Sequence, residues 1–326
     1  MNSIRFGQLG VGPEVLCSSN PRLIYGRMTG FGQGGNAFEK MGGHDANYLA
    51  LSGTLDLFRR GDERPFPPVN FAADYAGGGM MLAMGVLLAV IERNHSGKGQ
   101  VIDAAMIDGA NYVALPLHKW AQSGFLPVNS DGHLDAASSV LNQAPHYVEM
   151  YECKEDPAKP GTKQYVSVQA IESQFYAILL HGMGLENDST LSAQQDSDGW
   201  PNMKNRFAAV FKTKTRDEWG KIFYGTDACC VPVLNLEEAH VHPHNVARGT
   251  FAPTPGQPGQ FEPAPAPKLS RTPGHQPRPN PVPGADTKAV LAEYGVDAKQ
   301  IDALLEQGAV SDTPPWAKKP KSKSKL

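Results

Sequence analysis

Residues 73–105 (ADYAGGGMMLAMGVLLAVIERNHSGKGQVIDAA) decide the fold, because they encode a helix, a turn and a strand in immediate succession. Asp74 begins an apolar stretch, which predicts a helix over residues 74–93. The glycines of Gly97-Lys98-Gly99 then turn the chain into a β-rich run that predicts a strand over residues 100–104. The first turn of the helix carries the glycine run of residues 77–79, which costs roughly 1 kcal/mol per glycine in helix propensity. We expect close backbone packing or a ligand to offset that cost.

The same alternation extends to both sides of this stretch. Residues 22–28 predict a strand that enters a glycine-rich loop at residues 30–35, and residues 45–57 predict a helix. Another helix is predicted after residue 104, to about Gln122. Strands that alternate with helices indicate an α/β layer domain. The glycine loop has no P-loop lysine and no dinucleotide-binding spacing, so it predicts either a flexible turn or a loop that approaches a phosphate or thioester.

Composition and charge exclude several classes of protein. The chain has 326 residues, 40% of them hydrophobic, and a formal net charge of −3. Because five lysines lie after Ala317, the rest is more acidic still, and we expect no nucleic-acid partner. The four cysteines lack metal-type spacing, which predicts reduced thiols. The apolar run at residues 80–91 is too short to span a bilayer and predicts a buried helix, so no membrane span is expected.

The second half of the chain differs in composition from the first. Two β-rich runs at residues 147–151 and 165–169 flank a polar loop and predict a hairpin, and helices follow. Residues 252–284 hold eleven of the 27 prolines, which predicts a linker. The predicted organisation is a large α/β domain (1–122), a linker (123–144), a small α+β domain (145–251), a proline-rich linker (252–284), C-terminal helices that return to the large domain (285–312), and a lysine-rich tail (313–326).

Two titratable residues at predicted helix starts are candidates for proton transfer. His44 and Asp74 each precede an apolar helix, and a histidine and a carboxylate facing one carbon could remove a proton from one side and return it on the other. Each also has an ordinary explanation, since lone histidines are often structural and aspartate is a frequent N-cap. As a cap, Asp74 would lie where N–H dipoles converge and could stabilise an enolate oxygen.

Two further groups of residues invite a functional interpretation. Glu172 follows a predicted strand and opens a helix, so it is either a helix-start acid or a carboxylate that orients a histidine. The alternating histidines at 240, 242 and 244 would share one face of a strand and could bind zinc. Pro243 disfavours that strand, and no companion ligand motif is evident, so we predict no metal site.

The chain ends with Ser324, Lys325 and Leu326, which match a peroxisomal import address. An accidental end to a lysine- and serine-rich tail is the alternative. The import-address interpretation predicts a peroxisomal protein that binds the import receptor.

Several motifs, in order, closely resemble the class III CoA-transferase family, and within it the racemases of 2-methylacyl-CoA thioesters. They lie at residues 20–25, 30–33, 43–53, 73–79, 97–103, 170–175 and 225–229. The resemblance implies a Rossmann-like large domain, a smaller α+β domain and an interlocked homodimer. It also implies conversion of (2R)- to (2S)-methylacyl-CoA by two-base proton transfer, without cofactor, for peroxisomal β-oxidation of branched fatty acids and bile-acid intermediates. By the same resemblance, a mitochondrial location is a second expectation.

The resemblance assigns roles residue by residue. His44 and Asp74 would be catalytic, the backbone N–H of Asp74 would help to hold the thioester oxygen, and Glu172 would pair with His44. Substrate or CoA would contact Gly30, Gly32, Asp45, Tyr48, Gly77 and Gly78.

The resemblance begins late relative to family members, which carry an N-terminal βαβ region before the point that Met1 matches. We therefore expect an incomplete sheet and an impaired CoA nucleotide site. Two alternatives remain: a CoA-transferase in which Asp74 is the nucleophile, and a catalytically impaired truncated isoform.

Overall fold

The computed structural model describes residues 7, 9–35, 37–60, 63–133, 135, 139, 145–191, 193–275 and 282–313. Its internal contacts divide the chain into two units, Met1–Val233 and Leu234–Leu326. The architecture is mixed α/β, as predicted. The finer domain bounds inferred from the sequence stay predictions.

The first unit begins with a parallel strand pair. Strands β1 (Tyr25–Thr29) and β2 (Val101–Ala105) pair with Tyr25 opposite Val101, which confirms both predicted strands. Helices connect and follow them: α1 (Pro13–Ser19), α2 (Asp45–Leu51), a π-helix (Phe71–Met80), α3 (Met81–Ser96), α4 (Met106–Val113) and α5 (Leu115–Gln122). Short 3-10 turns lie at Ala37–Lys40 and Thr54–Leu57. The predicted single helix over residues 74–93 is therefore one continuous helical element, whose first part is a π-helix and whose second part is the α-helix α3.

The glycine run lets the π-helix contact α4 through its backbone. A Cβ atom on Gly77 would lie 2.5 Å from the backbone nitrogen of Ala110, and one on Gly109 would lie 1.8 Å from the Gly77 carbonyl oxygen. Any side chain at either position would force the two helices apart. The close packing expected to offset the glycine cost is therefore present, and it orients the π-helix.

Helix α3 covers the parallel pair with one face and leaves the other exposed. Leu82 approaches Gly26 of β1, Gly85 approaches Ile102 of β2, and Ala89 is buried. The opposite face exposes large apolar side chains, namely Met84, Leu87, Leu88 and Ile91. The prediction of a buried helix was thus wrong, because the two-stranded sheet covers only one side.

The π-helix and α3 together span Phe71–Ser96, the one helix in the described residues that is long and apolar enough to cross a membrane. The apolar run at residues 80–91, judged too short to span a bilayer, is only part of this helix, because the apolar pattern continues through the glycine run. Leu82 and Gly85 pack on the two-stranded sheet, so this helix is part of the folded α/β layer.

An antiparallel sheet organises residues 145–233. Strands β3 (Val148–Glu152), β4 (Tyr165–Gln169) and β5 (Cys230–Pro232) lie in that order, and the β3–β4 hairpin is as predicted. Helices α6 (Ser173–Met183), α7 (Trp200–Phe211) and α8 (Arg216–Phe223) pack around an aromatic core. Its largest fully buried side chains are Trp219, Tyr147, Phe207 and Phe211. The predicted capping box of α8 is confirmed, since Thr215 and Glu218 exchange hydrogen bonds of 2.8 and 3.3 Å.

The second unit contains short elements. Helices α9 (Leu236–Ala239) and α10 (Pro243–Arg248) precede strands β6 (Phe251–Pro253) and β7 (Phe261–Pro263), which pair antiparallel. Helices α11 (Thr287–Glu293) and α12 (Ala298–Glu306) follow, and Asp297 caps α12 as predicted. The proline-rich stretch is therefore not a linker throughout, because part of it forms β6 and β7. Pro253 and Pro263 are the last residues of these strands, where a backbone N–H donor is not needed.

Candidate active site

His44 is the N-cap of α2. Its backbone is extended (φ −132°), its N–H donates to Asn47 Oδ1 at 3.0 Å, and its side chain is exposed. The N–H groups of Asp45 and Ala46, at the start of the helix, donate to no other group in the described part of the chain. His44 therefore directly precedes open helix-start donors, where an anionic oxygen would be favoured.

Asp45 joins the two candidate catalytic residues. Its side chain is 2% exposed, and its Oδ2 accepts hydrogen bonds of 2.8 Å from the backbone N–H groups of Ala73 and Asp74. The residue next to His44 thus holds the start of the π-helix that carries Asp74. The structure brings the backbones of His44 and Asp74 together, although 29 residues separate Asp45 from Asp74.

This contact changes one role implied by the resemblance. Because the Asp74 N–H already donates to Asp45, it is not free to hold a thioester oxygen. The N–H groups at the start of α2 have no acceptor in the described residues and are the alternative donors for that purpose.

The Asp74 carboxylate is half-buried, and Asn70 contacts it. Asn70 Nδ2 donates to Asp74 Oδ2 at 2.7 Å. Asn70 is the N-cap of the π-helix and has a left-handed backbone (φ 52°). This contact was not predicted from the sequence, although an asparagine just before a helix is a signal that could have indicated it.

Tyr48, on α2, packs against the backbone of Gly30 and Gly43. Its ring is 5% exposed, and its hydroxyl donates to the Gly43 carbonyl oxygen at 2.5 Å. Burial first, and then the negative charge of Asp74, raise the pKa of its phenol, so the hydroxyl stays protonated. A Cβ atom on Gly30 would lie 2.3 Å from the Tyr48 ring, so Gly30 is needed for packing.

The other predicted substrate contacts lie nearby. Gly32 has a positive φ of 83° in the loop after β1, whereas Gly77 and Gly78 are buried in the π-helix. The structure accounts for Gly77 by packing, and its contact with CoA stays a prediction.

Glu172 lies in a different part of the first unit. It is the N-cap of α6 and is exposed. Burial first, and then the charges of Glu172 and Asp227, raise the pKa of the Cys229 thiol, so Glu172 lies near Cys229. No hydrogen bond or ion pair in the described residues joins it to His44. The pairing implied by the resemblance is therefore not formed within one chain.

The three histidines near residue 242 do not lie on a strand. His242 is the N-cap of α10, and His240 stacks on Phe261 with ring centroids 4.4 Å apart. Within the described ranges, no group of three or more metal-binding side chains meets. The strand geometry on which the metal interpretation depended is thus absent from this segment. Ser324, Lys325 and Leu326 lie outside the described residues.

Comparison with known proteins identifies the family. The model of CoA-transferase family III matches residues 1–287. The chain belongs to CoA-transferase family III. It is 45% identical over 296 residues to the mouse protein named alpha-methylacyl-CoA racemase, covering 90% of this chain and 73% of the mouse protein. Its identity to the human protein of that name is 41% over 310 residues, covering 93% of this chain and 76% of the human protein.

Solved structures that are similar to this chain support the fold. A CAIB/BAIF family protein from Brucella suis matches with a TM-score of 0.65 at 21% identity, over 91% of this chain and 74% of that protein. Rv3272 from Mycobacterium tuberculosis matches with a TM-score of 0.62 at 16% identity, over 85% of this chain and 71% of that protein. These likenesses concern the fold alone.

Proposed function

We propose that the protein racemises 2-methylacyl-CoA thioesters between the 2R and 2S forms by proton transfer at C2. The observation that carries the proposal is the Asp45 contact, which holds the starts of the His44 and Asp74 helices together. The racemase names of the mouse and human relatives supply the substrate class.

The residues divide the reaction into two proton transfers. His44 or Asp74 takes the C2 proton, and the C–H electron pair moves into the thioester to form an enolate. The helix-start N–H groups of Asp45 and Ala46 stabilise the enolate oxygen. The other residue then donates a proton to the opposite face of C2. The thioester carbonyl acidifies the C2 proton, so the proposal includes no metal or redox cofactor.

The proposed racemisation can be tested by following exchange of the C2 proton with solvent. The purified chain is incubated with (2R)-2-methylacyl-CoA in D₂O, and deuterium at C2 and the (2S) epimer are followed together. We expect deuterium and the (2S) epimer to appear together with the wild-type chain, and no (2S) epimer with His44→Ala or Asp74→Ala, while circular dichroism shows that each variant is folded. Retained turnover in either variant would exclude the two-base mechanism.

A CoA-transferase that uses Asp74 as a nucleophile is not favoured, because the relatives at 41–45% identity carry racemase names. The two chemistries differ in their intermediates. A transferase forms an acyl anhydride on Asp74 that hydroxylamine traps, whereas proton transfer leaves the carboxylate unmodified. Mass spectrometry of Asp74 after hydroxylamine treatment therefore separates them.

We infer that the active form is a homodimer in which Glu172 of one copy approaches His44 of the other. The inference rests on the exposure of Glu172 and on the absence of any described contact between these residues within one chain. Mixed dimers of His44→Ala and Glu172→Ala provide the test. Sites built between copies give one intact site per mixed dimer and restore activity, whereas sites within one chain stay inactive.

The C-terminal tripeptide supports a proposed peroxisomal location through the import receptor. Branched fatty acids and bile-acid intermediates would be the substrates there. Deletion of Leu326 from a fluorescent fusion should leave the protein in the cytosol. An unchanged peroxisomal pattern would show that the address lies elsewhere, and a mitochondrial pattern would support the second expected location.

A further inference from the structure

Two residues with a left-handed backbone conformation directly precede the helix that carries Asp74. Val69 has a φ of 38° and Asn70 a φ of 52°, both in the left-handed region. Asparagine tolerates this region, whereas a β-branched valine is a genuine outlier there. Such strain persists only where surrounding structure maintains it, and it is concentrated at functional sites. The strained turn therefore calls for an explanation in terms of what it positions.

The turn places the Asn70 side chain on the Asp74 carboxylate. The distance from Asn70 Nδ2 to Asp74 Oδ2 is 2.7 Å. Because an ionised carboxylate only accepts hydrogen bonds, the amide must present its NH₂ group. The second carboxylate oxygen, Oδ1, accepts no hydrogen bond from the described residues. The two oxygens of Asp74 are therefore in different environments.

We propose that Asn70 is a positioning residue that holds Oδ2 of Asp74 and leaves Oδ1 as the atom that exchanges the C2 proton. This inference rests on the proposed racemase function. Asn70 therefore orients the Asp74 carboxylate through one oxygen and leaves the other open. The left-handed backbone is part of the device, because few residues other than asparagine could occupy it and still reach Asp74.

Three variants separate the amide from the backbone geometry. Asn70→Gly keeps the left-handed turn without strain and removes the donor. Asn70→Asp keeps the size and the turn but replaces the donor with an acceptor that faces Asp74. Val69→Gly relieves the strain and keeps the Asn70 amide, so it is the matched control.

We expect Asn70→Gly to lower kcat about tenfold, with KM nearly unchanged, because a hydrogen bond to a charged group is lost at the reacting carboxylate. Asn70→Asp should be slower still, and Val69→Gly should match the wild type. Wild-type kcat in Asn70→Gly, or an equal loss in Val69→Gly, would overturn the proposal.

A measurement without turnover keeps this inference separate from the proposed function. In protein labelled with ¹³C at the aspartate carboxyl, the resonance missing from Asp74→Asn identifies Asp74. At a single neutral pH, its chemical shift should change in Asn70→Gly, where the Asn70 donor is lost, and stay in place in Val69→Gly. An unchanged chemical shift in Asn70→Gly would overturn the inference even in an active enzyme. An inactive wild-type chain in which Asn70→Gly still changes the shift would refute the racemase function but retain the contact.

Discussion

At the scale of single residues, Asp45 is the position on which the site depends most. Asp45→Ala removes the shared acceptor of two backbone N–H groups, one buried and one partly buried, and should destabilise the protein by about 3 kcal/mol. Asp45→Asn keeps one carbonyl oxygen for both donors and should cost less. Urea unfolding at neutral pH measures both. Equal losses in the two variants would show that charge, rather than the shared acceptor, is what matters.

His146 gives the protein a specific dependence on pH. The side chain is fully buried, its Nε2 lies 2.7 Å from the Tyr176 hydroxyl, and burial first, then the Lys204 charge, lower its pKa to about 4. The unfolded chain therefore binds this proton near pH 6.5 and the folded chain only near pH 4, so stability falls as pH drops through that window. The loss is on the order of 3 kcal/mol.

Unfolding titrations at pH 7, 6 and 5 test this dependence. The buried-residue variant His146→Gln should flatten the decline, whatever its effect on stability at pH 7. The exposed-residue variant His118→Gln is the control and should leave the slope unchanged. An unchanged slope in His146→Gln would assign the acid sensitivity to other groups.

Residue-scale prediction from the sequence succeeded where the signal is local. His44 is the N-cap of α2, as its position before the apolar run predicted. The helix that carries Asp74 begins earlier than predicted, at Phe71 with Asn70 as N-cap, so Asp74 lies in its first turn and is not its cap. The acceptor role of Asp45 could not be predicted in this way, because it joins residues 28 and 29 positions apart. The placement of Glu172 away from His44 depends on tertiary structure, which residue type alone does not encode.

At the scale of elements, the π-helix is fixed by contact with α4 rather than by helix propensity. Gly77→Ala places a Cβ atom 2.5 Å from the Ala110 backbone nitrogen and should destabilise the protein by about 3 kcal/mol. Gly79→Ala, in the same helix, meets nothing closer than 3.8 Å and should gain roughly 1 kcal/mol. Thermal unfolding of the two variants measures the difference. Equal effects would contradict the backbone contact.

The periodicity of the sequence predicted most helices and strands, but it did not predict that residues 71–80 form a π-helix. The strand at Val101–Ala105 and the hairpin of β3 and β4 lie within one residue of their predicted positions, and the strand at Tyr25–Thr29 begins three residues later than predicted. The widened turns of residues 71–80 were not predicted, because small and glycine residues show no apolar stripe that separates a π-helix from an α-helix.

At the scale of the whole molecule, the apolar face of α3 is the feature that a single chain leaves unexplained. The sequence predicted burial from composition, but burial depends on what lies against each face. Leu82 and Gly85 lie on the sheet, whereas Leu87 and Leu88 are exposed at 64% and 58%. A contiguous exposed patch of this kind marks an interaction site.

We expect a second copy of the chain to cover that face, consistent with the proposed homodimer. Leu88→Glu would place a charge in the contact and should shift sedimentation of the wild-type dimer to the monomer, with loss of any activity shared between copies. Leu236→Glu makes the same change at a side chain that is 91% exposed in the second unit, so it should leave the dimer intact. A wild-type chain that is monomeric at all concentrations and binds lipid vesicles would instead mean that the face meets a membrane. In that case the Glu172–His44 pair would need a different explanation, because no second copy would bring the two residues together.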